Sequence, residues 1–527
     1  MKKGLIKKLN EFVFIKAMNN NFLNLDFFFF KKPQLILFLI FIGCAIPKKT
    51  PPIDNRPNIV FILSDDQRYD GIHALGNTEI ITPNLDALVA KGTTFKNTYI
   101  MGAMNGAVCA PSRAMLITGR SVFDITPYAG SNLDMPDLLL PEALSMNNYT
   151  TFHIGKWHNG ETAFLKGFKD GSKLFFGGMC DHYQVPTKEL ESSKKLSAIK
   201  IESTHSSVLF SNAAIEFIED YRALNPFYLQ VSFTAPHDPR NMPKKYEDLY
   251  VKKEIEVPPN FAMKHPFDNG EMDIRDEWLA GYPRTVDEVK ANILAYYAMI
   301  THMDEQIGRI VNALEKKGLR DNTIIIFSSD NGLAVGQHGL MGKQNLYEHS
   351  IKVPLIFEGP GIPQGISNEE LVYTLDLYPT LCDLTTTETP KTVVGVSLFN
   401  TLMNQEKIER SSLVFAYKNS QRAIRKEDFK LIEYLVKGEK TGQLFDLKND
   451  PWETTNLYGL TSYQSKKLEL QKELQQGLLN YNDVVDMTAT DWNVDPIPAW
   501  IDNVSPETIN RLRALAIKDR ELRGFSN

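Results

Sequence analysis

Four short runs of β-branched and aromatic residues along the chain each stop abruptly at polar side chains. The runs read NIVFIL, TTFHIG, FYLQVSF and TIIIF, and they begin at residues 58, 150, 227 and 323. Between them, segments such as SNAAIEFIEDYRAL repeat apolar residues at spacings of three and four, which predicts amphipathic helices. Strands that alternate with helices predict an α/β fold with a largely parallel sheet sandwiched by helices.

The polar clusters at the ends of these runs are expected to share one crevice, because ligands bind beyond the carboxyl ends of parallel strands. A single cluster of this kind is typical of an ordinary turn or helix cap. Its recurrence at four strand ends favours one functional site instead. The clusters are Ser64, Asp65 and Asp66; Lys156, Trp157 and His158; Pro236, His237 and Asp238; and Asp330, Asn331 and Gly332.

A change of pattern near Glu409 predicts a second, smaller unit. The segments SLVFAY and FKLIEYLV are short and alternating, which is typical of an antiparallel sheet. SYQSKKLELQKELQQGLLNYND then predicts an amphipathic helix. We therefore expect a catalytic α/β domain over 56–408 and a C-terminal antiparallel-sheet subdomain over 409–480. The tail over 481–527 carries a helix start at SPET, and the sequence assigns it no role.

The N-terminal residues are typical of an export signal. QLILFLIFIG follows Lys31 and Lys32, and this apolar run is too short for a membrane span, which needs roughly 20 residues. The residues FIG before Cys44 resemble a bacterial lipobox. We expect a leader over 1–44 and a linker over 45–55, with the mature protein exported to the periplasm or cell surface. Lipid anchoring on Cys44 is the first interpretation and plain secretion is the alternative.

Composition indicates a soluble globular protein with a large core. The chain has 527 residues, of which 43% are hydrophobic and 23% charged, and its net charge of −6 offers no basic patch for nucleic acid. Beyond the leader only Cys109, Cys180 and Cys382 remain. Cys180 and Cys382 could pair in an oxidising compartment, but three cysteines do not make a disulfide framework.

Three carboxylates and one amide in the polar clusters form an all-oxygen set, which selects calcium or magnesium over zinc. A divalent ion there would offset the repulsion between the aspartates and act as a Lewis acid toward an anionic substrate. The set is Asp65, Asp66, Asp330 and Asn331.

Cations and proton-transfer groups surround this set. They are Arg113, Lys156 and Lys343, with His158 and His237 as groups that titrate near neutral pH. Pro111 suits the first turn of a helix, so Cys109 is expected at the amino terminus of that helix. The free N–H groups there favour anions, which adds Cys109 to this set of residues. The combination indicates a site for a compact oxyanion.

The segment VCAPSRAMLITGR, residues 108–120, closely resembles the signature of the type I sulfatases of the alkaline phosphatase superfamily. The resemblance covers about Arg56–Leu457, including GKWHNG and GLMGKQNLYEHSIKVPLI, and it extends to exported bacterial carbohydrate sulfatases. The signature is Cys-x-Pro-Ser-Arg, a spacer and Thr-Gly-Arg, which correspond to Cys109, Pro111, Ser112, Arg113, Thr118, Gly119 and Arg120.

This resemblance implies a mechanism and a role for each residue. A maturation enzyme would oxidise Cys109 to formylglycine, whose hydrate, a gem-diol, attacks sulfur and gives a covalent sulfate ester. Calcium, or else magnesium, would be bound by the oxygen set together with the modified Cys109. The remaining implied roles are stabilisation of the diol by Arg113, binding of sulfate oxygens by Lys156 and Lys343, protonation of the leaving alcohol by His237, and deprotonation of the second hydroxyl by His158.

Three functions stay open from the sequence: a sulfatase, a phosphonate or phosphate ester hydrolase of the same superfamily, and a surface binding protein built on an inactive enzyme. The occupied catalytic positions favour the first. As substrate we expect a sulfated carbohydrate. Residues expected around the sulfate pocket are Asp238, Arg240, Gln337 and His338, where Arg240 could pair with a uronic-acid carboxylate or only brace its own loop.

Three further polar residues are assigned outside the site. His302 and Asp304 are expected to be solvated or capping residues on a long helix. His153 is expected to be a core histidine within its strand.

Overall fold

Strands alternate with helices along the described residues of this computed structural model, 54–125 and 133–525. The predicted leader over 1–44, with Cys44, lies outside them. The strands are β1 (Asn58–Ser64), β2 (Thr93–Tyr99), β3 (Gly102–Ala103), β4 (Thr150–Lys156), β5 (Asp170–Phe175), β6 (Val185–Thr187), β7 (Lys200–Glu202), β8 (Phe227–Ser232), β9 (Thr323–Ser329), β10 (Lys352–Val353), β11 (Leu355–Glu358), β12 (Ile366–Tyr373), β13 (Ser412–Tyr417), β14 (Gln421–Lys426), β15 (Phe429–Val436) and β16 (Glu439–Asp446). The α-helices are α1 (Pro83–Lys91), α2 (Cys109–Thr118), α3 (Val122–Ile125), α4 (Leu140–Met146), α5 (Glu161–Gly167), α6 (Ser206–Asp220), α7 (Lys244–Glu247), α8 (Val286–Lys317), α9 (Glu348–Ile351), α10 (Leu377–Leu384), α11 (Phe399–Asn404), α12 (Gln464–Asn480) and α13 (Pro506–Leu522).

The four predicted strands are neighbours at the centre of the larger sheet. Its strand order is β10-β2-β11-β9-β1-β8-β4-β5, and β12 also pairs with β2. Neighbouring strands from β9 to β5 run parallel, so the predicted α/β fold is confirmed. Because β9, β1, β8 and β4 are parallel neighbours, their carboxyl ends lie at one edge, where the polar clusters follow.

Both faces of this sheet are covered, which explains why its central strands are apolar along their whole length. In β1, Ile59 and Phe61 belong to one buried cluster, and Val60 and Ile62 belong to another. The first cluster includes side chains of α2 and α4, and the second includes side chains of α6 and α8. The sheet therefore lies between two helical layers, as predicted.

A second, smaller sheet contains the C-terminal strands in the order β16-β15-β14-β13-β3. Pairing from β13 to β16 is antiparallel, as predicted, and α12 buries Leu470, Leu474 and Leu478. The short β3 comes from the N-terminal part of the chain and places Gly102 opposite Ala416 of β13. A Cβ on residue 102 would lie 2.0 Å from the Ala416 carbonyl oxygen, so this junction requires glycine.

The C-terminal tail packs against the catalytic domain. Its helix α13 begins with a serine N-cap, as the SPET sequence suggests. The Arg513 guanidinium lies 4.7 Å from the centre of the Trp278 ring. Arg520 Nε lies 2.6 Å from Glu288 Oε1, at the start of α8. The tail is therefore held by specific contacts to the catalytic domain.

The three cysteines of the described residues are free thiols. Cys382 is buried within α10, and Cys180 is half-buried, so the pairing that the sequence left open is not formed. Across residues 54–125 and 133–525, no helix combines the length and apolarity needed to cross a membrane.

The three polar residues assigned outside the site all have structural surroundings. His153 is buried edge-on against Trp157, which confirms it as a core histidine. Asp304 is buried and caps α1 by accepting hydrogen bonds from two of its backbone N–H groups. His302 is not solvated: its ring packs 4.3 Å from that of His205, because this side of α8 faces α6.

This histidine pair is expected to make stability depend on pH. Burial lowers the pKa of His302 to about 4 and that of His205 to about 2, whereas histidines in the unfolded chain titrate near 6.5. Between roughly pH 4 and 6.5 the unfolded chain therefore binds more protons, and stability falls as pH falls through this window. Thermal unfolding from pH 7.5 to 4.5 should show a smaller loss of Tm in His302→Phe than in wild type. His73→Gln, an exposed control, should keep the wild-type slope, and an unchanged slope in His302→Phe would contradict this account.

Candidate active site

Cys109 is the first residue of α2, as the sequence predicts, and it is only 3% exposed. The helix ends at Gly119, which adopts a left-handed conformation with φ 64° and closes the last turn. The open N–H groups at the helix start lie beside Cys109 and favour a negative charge there. Even so, burial raises the pKa of the Cys109 thiol well above its usual range, despite two nearby lysines.

Carboxylates reach Cys109 from the ends of two adjacent parallel strands. Asp65 and Asp66 follow β1, and their Oδ1 atoms lie 3.4 and 3.6 Å from Cys109 Sγ. Asp330 follows β9, and its Oδ1 accepts a hydrogen bond from the Asp66 amide at 3.1 Å. Asn331 Nδ2 donates to Asp66 Oδ1 at 2.7 Å. The strand pairing of β1 with β9 therefore places the predicted oxygen set in one spot.

Each of the three buried carboxylates is matched by a buried cation. Lys156 Nζ lies 2.5 Å from Asp65 Oδ2, Lys343 Nζ lies 2.5 Å from Asp66 Oδ1, and Arg113 Nε lies 2.8 Å from Asp330 Oδ2. Lys343 Nζ also lies 2.9 Å from Cys109 Sγ. The positive side chains predicted to bind a substrate anion thus surround the cysteine.

The pKa values of the carboxylates reflect competition between burial and these cations. Burial raises the pKa of Asp65 to about 6, with the charge of Asp330 adding to the effect. Burial also opposes ionisation of Asp66 and Asp330 and is the largest single influence on each, but the surrounding cations together lower their pKa values, with Lys343 contributing most at Asp66 and Arg113 at Asp330. Buried charges of this kind are stable only when they are paired.

The structure contains a possible metal site that includes part of the predicted oxygen set. Ligand atoms of Asp65, Asp66, Cys109 and His237 all lie within 4.8 Å of one another. Asn331 Oδ1 is buried and has no hydrogen-bond partner among the described residues. A buried amide oxygen without a donor is the kind of ligand that calcium or magnesium takes. The sequence analysis expects His237 beside this set as a proton-transfer group, and its ring lies among these possible ligands.

Two histidines face the small cavity above Cys109, whose volume is about 200 Å³. His158 follows β4 in a left-handed conformation with φ 63°, and its Nδ1 is buried without a hydrogen-bond partner in the described part of the chain. Burial, followed by the charges of Lys156 and Arg113, lowers its pKa, so the ring is neutral at neutral pH. His237 Nδ1 lies 2.7 Å from the Asp238 carbonyl oxygen, which fixes the ring, and its Nε2 lies 3.6 Å from Asp66 Oδ2.

Gln337 and His338 are not among the residues that line this cavity, and their predicted role in substrate binding stays a prediction. The chain from Ala334 to Gly342 folds back on itself through backbone hydrogen bonds, which returns Lys343 to the site and directs the tip away. At this tip, Gln337 Oε1 accepts a hydrogen bond from Asn260. The His338 ring stacks on the Tyr347 ring, with 3.9 Å between the ring centres.

Asp238 and Arg240 lie beyond His237, at a second cavity of about 430 Å³. Arg275 forms an ion pair with Asp238, with its Nη1 2.8 Å from Asp238 Oδ1. Burial is the largest single influence on Asp238 and opposes its ionisation, but Arg275 and the other nearby cations together lower the pKa of Asp238. Arg240 Nη1 donates to Asn292 Oδ1 at 2.8 Å. Both residues are near the site but contribute to a neighbouring space.

Other residues at the cavity above Cys109 were missed from the sequence. They include Met179, Arg275, Gln344, Trp500 and Leu512. Gln344 could have been suggested by its place next to Lys343. Trp500 and Leu512 lie in the tail, and no local pattern connects them with a site that is formed by residues far away in the sequence.

Comparison with known proteins agrees with this geometry. A family model described as Sulfatase matches residues 57–387, and one described as N-sulphoglucosamine sulphohydrolase, C-terminal, matches residues 336–480. The chain is 27% identical to an N-acetylglucosamine-6-O-sulfatase of Bacteroides thetaiotaomicron, over 84% of this chain and 89% of the relative. It is 30% identical to an arylsulfatase of Clostridium perfringens, over 80% of this chain and 94% of the relative.

A solved structure shares the fold. It is of a protein in complex with its substrate D-glucosamine-2-N,6-O-disulfate, with a TM-score of 0.69 and 24% identity, covering 83% of this chain and 100% of that chain. The family match spans more than half of the chain, so this protein belongs to the sulfatase family. It is a sulfuric ester hydrolase.

Calcium or magnesium added to chelator-treated protein is expected to raise its Tm, because an ion that binds only the folded state stabilises it. The gain in the free energy of unfolding is about 2.7 kcal/mol when the free ion is at ~100 times its Kd. Differential scanning calorimetry measures the shift. Asp330→Asn should reduce it, whereas Asp268→Asn, which changes a carboxylate paired with Lys437 on the surface, should not. A wild-type Tm that stays unchanged when either ion is added would contradict the proposed cation site.

Proposed function

We propose that this sulfatase hydrolyses sulfate monoesters on carbohydrates and that its nucleophile is Cys109 after conversion to formylglycine. The observation that carries the proposal is the position of Cys109 at a helix start, 2.9 Å from Lys343 Nζ and in contact with two carboxylates.

The surroundings of the thiol explain why conversion is needed. A cysteine attacks as its thiolate, and here burial, Asp330 and Asp65 all hold the thiol in its neutral form. Hydrated formylglycine would supply a hydroxyl nucleophile at this position, with a second hydroxyl from which the aldehyde can be restored. Because Cys109 is 3% exposed in the folded chain, the maturation enzyme would have to act before the domain closes.

The cations around Cys109 suit a sulfate group. Lys156, Lys343 and Arg113 are almost wholly buried, so their charges act in a medium of low polarity and are fixed by ion pairs before substrate arrives. Lys156 and Lys343 would bind sulfate oxygens. Arg113 would stabilise the nucleophilic oxygen, and its Nη2 has no hydrogen-bond partner among the described residues.

A calcium or magnesium ion would be held by Asp65, Asp66, Asp330 and Asn331 with the modified Cys109. Such an ion supplies positive charge that polarises a sulfate oxygen and offsets the repulsion between carboxylates.

The two histidines are placed for proton transfer. His237 lies beyond the cysteine, at the side of the cavity that leads toward Asp238, and it would protonate the departing alcohol. His158, held neutral by burial, would accept the proton from the second hydroxyl. These roles require the rings on different sides of the transferred group.

A carbohydrate substrate is supported by the relatives, one of which is named an N-acetylglucosamine-6-O-sulfatase. The structural neighbour with a bound glucosamine disulfate is consistent with it. The predicted leader would bring the enzyme to the periplasm or cell surface, either anchored through Cys44 or secreted, where sulfated polysaccharides are met.

Mass spectrometry of the peptide that carries Cys109 should find formylglycine when the chain is made in a host with the maturation enzyme. Cys109→Ala should lose sulfate-ester turnover while keeping a cooperative unfolding transition. Cys382→Ala is the matched control, because this buried cysteine lies in α10 and should leave turnover intact. Fully active protein that contains only the Cys109 thiol would contradict the proposal, as would a higher kcat/KM for phosphate or phosphonate esters than for every sulfate.

His237→Ala should lower kcat/KM for sulfated sugars by roughly 10²–10⁴-fold, the usual contribution of a general acid. Its effect on 4-nitrophenyl sulfate should be much smaller, because nitrophenolate leaves without being protonated. Steady-state rates of sulfate release measure both, with His73→Ala as a surface control. Equal losses on the two substrates would remove His237 from the role of proton donor.

A further inference from the structure

Arg240 is a buried cation that the fold leaves without a counter-ion. It is 5% exposed, and no carboxylate of the described residues lies within ion-pair distance of it. Its Nη1 donates to the neutral Asn292, but its Nε and Nη2 have no hydrogen-bond partner in the described residues. A buried charge with unmet donors costs free energy unless a ligand provides the missing acceptors.

The surroundings of Arg240 do not provide these acceptors. Carboxylates do line the same cavity, but two of them are already paired: Asp238 with Arg275, and Asp519 with Arg523. Burial, followed by the nearby charge of Arg523, lowers the pKa of Arg240. An anion in this cavity would therefore lie near three guanidinium groups, and Arg240 is the one of them that has no carboxylate partner among the described residues.

This cavity adjoins the one above Cys109. The 430 Å³ cavity around Arg240 and the 200 Å³ cavity above Cys109 share Met179, Arg275 and Leu512 as lining residues. Arg240 is therefore on the side of the site toward which a sugar bound by its sulfate at Cys109 could extend.

The C-terminal tail forms the far wall of this space. Leu512, Leu515 and Ala516 of α13 line the cavity opposite residues of α8. The helix is fixed there by Arg520, which pairs with Glu288. The wall is therefore a built part of the site rather than a loosely placed end of the chain.

We infer that Arg240 and α13 form a second anion-binding subsite, which accepts a carboxylate or a second sulfate carried by the same sugar substrate. Arg240 Nε and Nη2 would donate to two oxygens of this group, as guanidinium groups do with carboxylates and sulfates. This inference deepens the proposed function and rests on it.

Pairs of sulfated sugars that differ in one extra charged group test the subsite on the wild-type enzyme. One pair compares an N-acetylated with an N-sulfated glucosamine 6-sulfate, and another compares a sulfated hexose with the corresponding sulfated hexuronate. The doubly anionic member of at least one pair should have a kcat/KM at least 10-fold higher. Which pair responds distinguishes a sulfate from a carboxylate. Turnover of both members without any preference would overturn the inference, whereas absence of turnover on every sulfate would instead overturn the proposed function.

Variants then test whether the preference for doubly anionic sugars comes from the cavity lined by Arg240 and α13. Arg240→Gln should reduce the preference at least 10-fold, mainly through KM for the doubly anionic substrate. Ala516→Trp, which fills the cavity from α13, should reduce it independently. Arg309→Gln, whose guanidinium is bonded to Gln306 and Asn212 on the outer side of α8, should leave the preference unchanged. A preference that survives in folded Arg240→Gln and Ala516→Trp, as judged by Tm, would refute the inference.

Discussion

The balance of three buried carboxylates against three buried cations is the constraint on which this structure depends. Asp65, Asp66 and Asp330 lie within a few ångströms of one another because they follow adjacent parallel strands. Their mutual repulsion in a buried setting is offset by Lys156, Lys343 and Arg113. Removing any one member leaves an uncompensated charge, so the residues of this site also determine whether the sheet edge can stay buried.

The same balance connects stability with chemistry. Cations held by ion pairs cannot turn toward solvent, and they are therefore already in place when an anion enters. A divalent ion between the carboxylates would take over part of the neutralisation and leave Lys156 and Lys343 freer to interact with substrate. The cations pair with aspartates in this structure, and in the proposed mechanism Lys156 and Lys343 would pair with sulfate instead.

The central strands, the start of α2 and the meeting of polar side chains at one sheet edge could be predicted from the sequence because they depend on local signals. The strands were marked by β-branched runs, Cys109 and Pro111 marked the start of α2, and parallel neighbours brought their polar ends together without any further information. The sequence and the structure differ where tertiary packing decides which residues line the cavity above Cys109. Nearness in sequence to Lys343 suggested that His338 belongs to the site, but a backbone turn separates them. Trp500 and Leu512 reach the cavity through the packing of the tail, which no periodicity reveals.

The pairing of β3 with β13 has a consequence for the order of events during synthesis. The strand that immediately precedes Cys109 finds its partner only at Ala416, more than 300 residues further along the chain. At ~5–20 residues per second, roughly 15–60 s pass between the emergence of the two segments. Through that interval the edge beside Cys109 has no neighbour in the smaller sheet. For the proposed conversion of Cys109, the chain order would therefore provide a period in which a modifying enzyme could reach a side chain that the finished fold encloses.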